Sequence, residues 1–439
     1  MAWLNAPQVM LLWPYGVQGA ESIPMAFSFL APQLKQAGCR GYTFDCSLNR
    51  LHPNSDDFSH WLKLLQPDVI GISAWSQNWR MIKMTVDVAH RVLPGVPVVL
   101  GGPHISATED QANADYALAG ECEQTFPRLI QALADGAGDA ELSDIPGLRF
   151  SGQHHKTPPA PITDLDALGL PDYEAMLLGQ YQDAGYRYRD GEKRQAPIFA
   201  TRGCPYECTF CEAPLISGRR IRKHSIDYLR DLVLQLHDRH AVSHINIVDD
   251  NFTFYKDYAK QFCEMVLKNR ERLGDMTFAT PNGIRVERSD AEMFRLMKAA
   301  GWARVIFAPE SGSQRLVEVM AKHLDLRVVA ERVELAHAAG LEVEAFFIVN
   351  YPGETDADID ATERFIKAVP FDSVSLHIFK PLPHTPIWRE LIETQQLSPE
   401  YVIGRYDEID WLANGRNKDE VRATFARLSA AARRVEAIR

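Results

Sequence analysis

Apolar residues in this chain gather in short unbroken runs, parted by longer stretches where they recur every three or four positions. Early runs are Val9-Met10-Leu11-Leu12-Trp13, Tyr42-Thr43-Phe44-Asp45, Val69-Ile70-Gly71-Ile72-Ser73, Val96-Pro97-Val98-Val99-Leu100 and Tyr116-Ala117-Leu118-Ala119. A continuous apolar run of this length reads as a strand covered on both faces, and the amphipathic stretches between runs supply helical covers. Two such helices are expected, over about Ile23–Gly38 and after Ser73 to about Val92. The pattern predicts a doubly wound, Rossmann-like parallel sheet. Its strands end on small residues at Ser73, Gly101-Gly102 and Gly120, where a ligand can approach the backbone. No G-x-G-x-x-G follows the first run, so the dinucleotide fingerprint is absent.

The alternation resumes further on. Strands are expected at Ile198–Thr201, His244–Val248, Thr277–Thr280, Arg304–Ala308, Glu342–Ile348 and Ser373–Phe379. Between them lie helical patterns over Ile226–His240, Tyr255–Arg272, Ala291–Ala300, Val328–Ala339 and Asp358–Val369. This order predicts a partial (β/α)6 TIM-type barrel, with its chemistry at the strand carboxyl ends. The stretch from Gly136 to Pro171 is rich in Gly, Pro, Asp and Ser, with a small hairpin expected around Gly147–Phe150. The expected domains are therefore an α/β sheet domain at 1–135, a linker at 136–190, a barrel at 191–395 and a charged helical extension at 396–439.

Composition narrows the partners. The chain has 439 residues, 46% hydrophobic and 24% charged, which is ordinary for a globular protein with two or three cores. No apolar run is long enough to span a bilayer, and the apolar N-terminus lacks a basic leader and a cleavage site. A net charge of −11 gives no electrostatic case for nucleic acid. Seven cysteines do not make a disulfide scaffold; Cys39, Cys46, Cys122 and Cys263 are scattered and read as small buried hydrophobes. The expected compartment is the cytoplasm, with neither membrane nor nucleic acid as partner.

The other three cysteines carry chemistry. Cys204, Cys208 and Cys211 lie in Arg202-Gly203-Cys204-Pro205-Tyr206-Glu207-Cys208-Thr209-Phe210-Cys211. Gly203 and Pro205 favour a turn that bends three sulfurs together. Three thiolates are one short of the set that closes a cubane iron–sulfur cluster, so one iron stays open. Half of a structural zinc site is the alternative, but it wants a fourth soft ligand, and the nearest downstream His is His224.

This run resembles the signature of the radical S-adenosylmethionine (SAM) superfamily. The resemblance implies a 4Fe–4S cluster on Cys204, Cys208 and Cys211, SAM on the open iron, and Phe210 as an aromatic face beside it. At later strand ends, Asp249-Asp250-Asn251, Glu310-Ser311 and Pro352-Gly353 resemble the family's SAM-binding segments. Each has a blander reading as a helix cap or turn. Their occurrence at successive strand ends, in family order, favours the functional one. His384 stands where relatives usually have Gly.

The N-terminal pieces Ile23–Gly38, Pro67–Ser73, Gly101–His104 and Asp115–Glu123 are similar to the cobalamin-binding domain that precedes many radical SAM domains. By that resemblance Ser73, Trp75, Gly101, Gly102, His104, Gly120 and Glu121 contact cobalamin. The D-x-H-x-x-G loop that supplies cobalt with a His is absent, and Trp75 is the candidate for the lower face. Alternatively, Trp75 and Trp79, four residues apart, share the core face of one helix.

Together the resemblances imply a class B, cobalamin-dependent radical SAM methyltransferase acting on an unactivated carbon or on phosphorus. The implied partners are a small-molecule substrate, free or held on a carrier or peptide, and an electron donor such as flavodoxin or ferredoxin. Two other readings stay open: a cyclase or rearrangement enzyme whose cobalamin transfers no methyl, and a non-catalytic cobalamin-binding protein. An RNA methylthiotransferase is disfavoured, because the N-terminal domain holds no second cysteine triad.

Overall fold

Six strands form the first sheet, in the order β2 (Arg40–Asp45), β1 (Gln8–Trp13), β3 (Val69–Ser73), β4 (Val98–Gly101), β5 (Tyr116–Leu118) and β6 (Leu148–Phe150). This computed structural model describes residues 6–16, 23–150, 157–186, 194–404 and 408–437, with side chains to 432. Alternate residues of β1 and β3 feed opposite cores, as a doubly covered sheet requires. Met10, Leu12, Ile70 and Ile72 meet Phe58, Leu62, Ile82 and Val86 from helices Asp56–Leu65 and Trp79–Val92. Val9, Leu11 and Val69 meet Phe27, Leu34, Phe126 and Leu129 from helices Met25–Gln36 and Thr125–Ala134.

The segment expected as a linker differs from a loose tether. Leu148–Phe150 is strand β6, paired antiparallel with β5; the residues after it, where a local hairpin would return, lie outside the described residues. Arg149, buried on it, donates to the carbonyls of Thr108 and Ile105 at 2.7 and 2.8 Å. Further on, the Tyr181 hydroxyl donates to Asp45 at 2.6 Å. These long-range bonds tie residues 148–150 and 157–186 into one compact unit, Met1–Arg187 with Leu215–Gly218 and Gln395–Gly404.

A second unit comprises Tyr188–Pro214, Arg219–Thr394 and Arg405–Arg439. Its parallel strands are β7 (Gln195–Ile198), β10 (His244–Ile247), β11 (Thr277–Ala279), β12 (Arg304–Glu310), β13 (Glu342–Val349) and β14 (Ser373–Ile378). They form two sheets, β11-β10-β7 and β12-β13-β14, joined by the parallel bridges Phe278↔Trp302 and Ile284↔Phe307. Helices such as Ile226–His240 and Asp356–Ala368 connect them, giving the expected partial barrel. One strand departs from expectation. Ile198–Thr201 is not continuous: β7 stops at Ile198, and Thr201–Arg202 (β8) pairs antiparallel with Arg222–Lys223 (β9). The cause is Asp249, whose carboxylate takes the Ala200 and Thr201 amides, both at 2.8 Å, away from the parallel ladder.

Candidate active site

The β8–β9 ladder closes off the loop that carries Cys204, Cys208 and Cys211. Within it the Cys211 amide donates to the Cys208 carbonyl at 3.1 Å, a tight turn between the last two cysteines. Thr209 fastens the turn outward. Its amide donates to Met320 and its carbonyl accepts from Ile387, both at 3.0 Å. Its hydroxyl shares a 2.5 Å hydrogen bond with that of Tyr351. Burial pushes the Cys211 thiol up to about 12 and raises Cys204 as well, so a metal bound there would have to displace protons from both. Among the described residues no three His, Cys, Asp or Glu side chains converge on a single-ion site. Three partly buried thiols on one loop instead fit a cluster, whose cysteines bind different irons.

Strand ends surround this loop. After β10, Asp249 turns inward: besides the two amides it accepts from the Thr201 hydroxyl at 2.7 Å. Burial nevertheless lifts its carboxyl to about 7. Asp250 is exposed. Asn251 is buried with its amide nitrogen 3.8 Å from the Cys204 sulfur, while its Oδ1 has no hydrogen-bond partner among the described residues. A buried acceptor left open beside a cluster cysteine fits an ammonium ligand.

At the end of β12, Glu310 adopts a left-handed backbone (φ 66°) that favours glycine, strain of about 1–3 kcal/mol that the surroundings must hold. Its carboxylate meets the buried Lys322 ammonium at 2.7 Å, and that ammonium lies 5.8 Å from the centre of the Phe210 ring. The following turn is clamped to helix Asp356–Ala368. Ser311 bonds to Thr362, Gly312 donates to Thr362, and Ser313 donates to Asp358 at 2.5 Å. A Cβ on Gly312 would lie 2.5 Å from that of Phe365, so no side chain fits there. At the end of β13, Pro352-Gly353 turns beside Tyr351, whose ring meets Phe210 edge-on at 6.4 Å.

Sequence reasoning gave no role to Tyr206, Arg285 or Lys322. The Arg285 guanidinium stacks 3.7 Å over the Tyr206 ring and donates to the Lys322 carbonyl at 2.7 Å. No motif announces a lone Arg or Lys between strands. His384 also sits in the left-handed region (φ 58°), its ring stacked on Trp388 at 4.7 Å. The turn thus keeps the shape expected of glycine without one.

In the first unit the expected corrin contacts share the carboxyl edge of the sheet. Ser73 and Gly101 end β3 and β4. Gly102 (φ 96°) passes so close to Ala74 that a Cβ would sit 2.9 Å from its backbone. Gly120 receives support from the Ser106 hydroxyl at 3.0 Å, and Glu121 accepts from the Ile162 amide at 2.7 Å. Trp75 is extended and 38% exposed, its ring 6.3 Å edge-on from Trp13. Trp79, by contrast, is buried at the start of its helix, so the two indoles do not share a core face. His104 is buried, its ring tilted against Trp79 with centroids 4.0 Å apart and Nδ1 2.9 Å from Ser76. An exposed indole on a glycine-lined strand edge fits a flat apolar macrocycle.

Comparison with known proteins agrees with this division. The family model of the radical SAM superfamily matches residues 198–366, and that of the B12 binding domain matches residues 16–130. An uncharacterized methyltransferase of Pyrococcus horikoshii is 28% identical over 349 residues, 78% of this chain and 73% of that protein. Cytidylyl-2-hydroxyethylphosphonate methyltransferase of Streptomyces wedmorensis is 27% identical over 388 residues, 80% and 72% of the two chains. The anaerobic magnesium-protoporphyrin IX monomethyl ester cyclase of Rubrivivax gelatinosus is 27% identical over 391 residues, 86% and 68% of the two. In fold, the chain is similar to the radical S-adenosylmethionine methyltransferase TsrM from Kitasatospora setae, solved with cobalamin and a 4Fe–4S cluster bound. The TM-score is 0.75 at 18% identity, covering 97% of this chain and 89% of that one.

Proposed function

The chain belongs to the radical SAM superfamily and carries a B12-binding domain, and from this premise we propose that it is a cobalamin-dependent methyltransferase acting on an unactivated carbon, or on phosphorus, of a small molecule. The observation that carries the reading is the cysteine loop with the open Asn251 acceptor beside it, in one chain with the B12-binding domain. When bound, the cluster supplies the electron that breaks SAM, and cobalamin supplies a methyl group.

The protein's own groups position these parts. Cys204, Cys208 and Cys211 would hold the cluster, three thiolates being one short of a full ligand set. Asn251 Oδ1 accepts from the SAM ammonium, with exposed Asp250 adding charge. Glu310, fixed by Lys322, and the Ser311 turn would present hydrogen-bonding groups to SAM, and the Pro352-Gly353 backbone would face its nucleoside. Asp249 serves by holding the backbone that leads into the loop. In the other unit Ser73, Gly101, Gly102, Gly120 and Glu121 shape the corrin edge and Trp75 covers a face. His104 braces that loop from beneath. A flavodoxin or ferredoxin supplies electrons, and the reducing cytoplasm suits the cluster.

Anaerobic purification with iron, sulfide and cobalamin quantified together tests the assignment. Cys208→Ala is expected to abolish both cluster absorbance and SAM cleavage. Zinc in place of iron, or unchanged cleavage by the variant, would end the proposal. Because a cyclase is among the relatives, products decide the reaction type. Methylation yields S-adenosylhomocysteine beside 5′-deoxyadenosine, whereas cyclisation yields only the latter.

A further inference from the structure

We infer that the segment Trp411–Arg416 latches the turn after β13 and sets its spacing from the cysteine loop, with Asn414 as the positioning residue. The inference rests on the reading that SAM binds between that turn and the cysteines. Residues sixty positions apart meet here along almost every unit of the turn. Asn350 donates to the Trp411 carbonyl at 3.3 Å and accepts from the Ala413 amide at 3.2 Å. The Glu354 carboxylate accepts from Arg416 at 2.7 Å, with both side chains largely buried. At the centre, the exposed Asn414 bonds the turn's backbone through both the oxygen and the nitrogen of its side-chain amide. Oδ1 accepts from the Gly353 amide at 2.7 Å, and Nδ2 donates to the Tyr351 carbonyl at 2.9 Å. Asn414 holds a left-handed backbone (φ 61°), which Asn tolerates better than most residues.

The turn is in turn bonded to the cluster loop. Tyr351 is fully buried, and its hydroxyl meets Thr209, which lies between Cys208 and Cys211. Asn414 therefore reaches the cysteine turn through one residue. A tail that merely covered the barrel would need neither the paired amide bonds nor the phenol contact.

The test compares wild type with Asn414→Gly, which keeps the left-handed backbone and removes the amide, and with Tyr351→Phe, which removes only the hydroxyl. In metal-free protein, hydrogen exchange in Asn414→Gly is expected to quicken roughly tenfold both at 350–355 and at 204–211, the size expected from losing paired hydrogen bonds. Tyr351→Phe should quicken 204–211 while sparing 350–355. In reconstituted protein, iron and sulfide content should match wild type in both variants. The SAM concentration that changes the electron paramagnetic resonance spectrum of the reduced cluster should rise about tenfold, the equivalent of one or two such bonds. Exchange confined to 350–355 in Asn414→Gly, or an unshifted SAM response, overturns the latch. A wild-type cluster whose spectrum ignores SAM overturns the functional reading instead, and the exchange data still judge the latch. Should Asn414→Gly fail to fold, Asn414→Asp, which keeps the acceptor for the Gly353 amide and removes the donor to the Tyr351 carbonyl, is judged by the same exchange and SAM readouts.

Discussion

Asp249 and Asp358 are both buried carboxylates with several donors around them, yet they are driven in opposite directions. For Asp249 burial wins over the Thr201 and Ala200 hydrogen bonds and lifts the carboxyl to about 7. For Asp358 burial is outweighed by Arg315, Ser313 and Thr355, which hold it well below the usual carboxylate range. The difference is the guanidinium. Because the folded pKa of Asp358 lies below its unfolded value of about 4, its contribution is present above that pH and fades below it. Asp358→Asn is therefore expected to cost about 1–3 kcal/mol at neutral pH. Urea unfolding at a series of pH values should show the variant and wild type converging as pH falls below about 4. For Asp249→Asn, an amide NH2 would face the donors now bonded to a carboxylate oxygen, again costing about 1–3 kcal/mol. Reconstituted iron per chain should fall with it. Wild-type iron and stability in that variant would show that this carboxylate does not hold the loop. The sequence placed the Asp249-Asp250-Asn251 string at a strand end, but adjacent acidic letters cannot say which one turns inward. Only the burial of Asp249 against two amides separates them.

At the scale of elements, strands of continuous apolar residues were legible because covering both faces leaves no other pattern. The two-residue ladder β8–β9 was not, since so short a pair has no periodicity, and its cause lies in a side chain some fifty positions away. The helical alternative for Trp75 and Trp79 does not hold: four residues apart suits one helix face, but the helix begins only at Trp79. Trp75 is left extended before it, with φ −119° and ψ 144°. Trp75→Ala is accordingly expected to change unfolding stability by no more than about 1 kcal/mol, as for an exposed position. On the corrin reading, its cobalamin affinity should drop about tenfold, roughly the contribution of one aromatic contact. Absorbance titration measures this. Unaltered affinity would remove Trp75 from the corrin face.

On the scale of the whole molecule, two units were readable because each repeats one simple rule, strand then helix, around its own core. The C-terminal stretch was readable only as charged helix. In the structure its helix Lys418–Ala437 joins the barrel unit through Arg427, which bonds Glu363 at 2.7 Å and Asp360 at 2.6 Å. The coil just before that helix carries the four residues that grip the turn after β13, Trp411, Ala413, Asn414 and Arg416, and nothing in their letters marks them. That arrangement has a consequence for biosynthesis. A ribosome completes the cysteine loop long before it reaches Trp411, so the growing chain displays its sulfur ligands while their far wall is still unmade. On the cluster and latch readings, metal delivered before Trp411–Arg416 is made would meet an unfinished chamber, and maturation of the centre would follow synthesis of that segment.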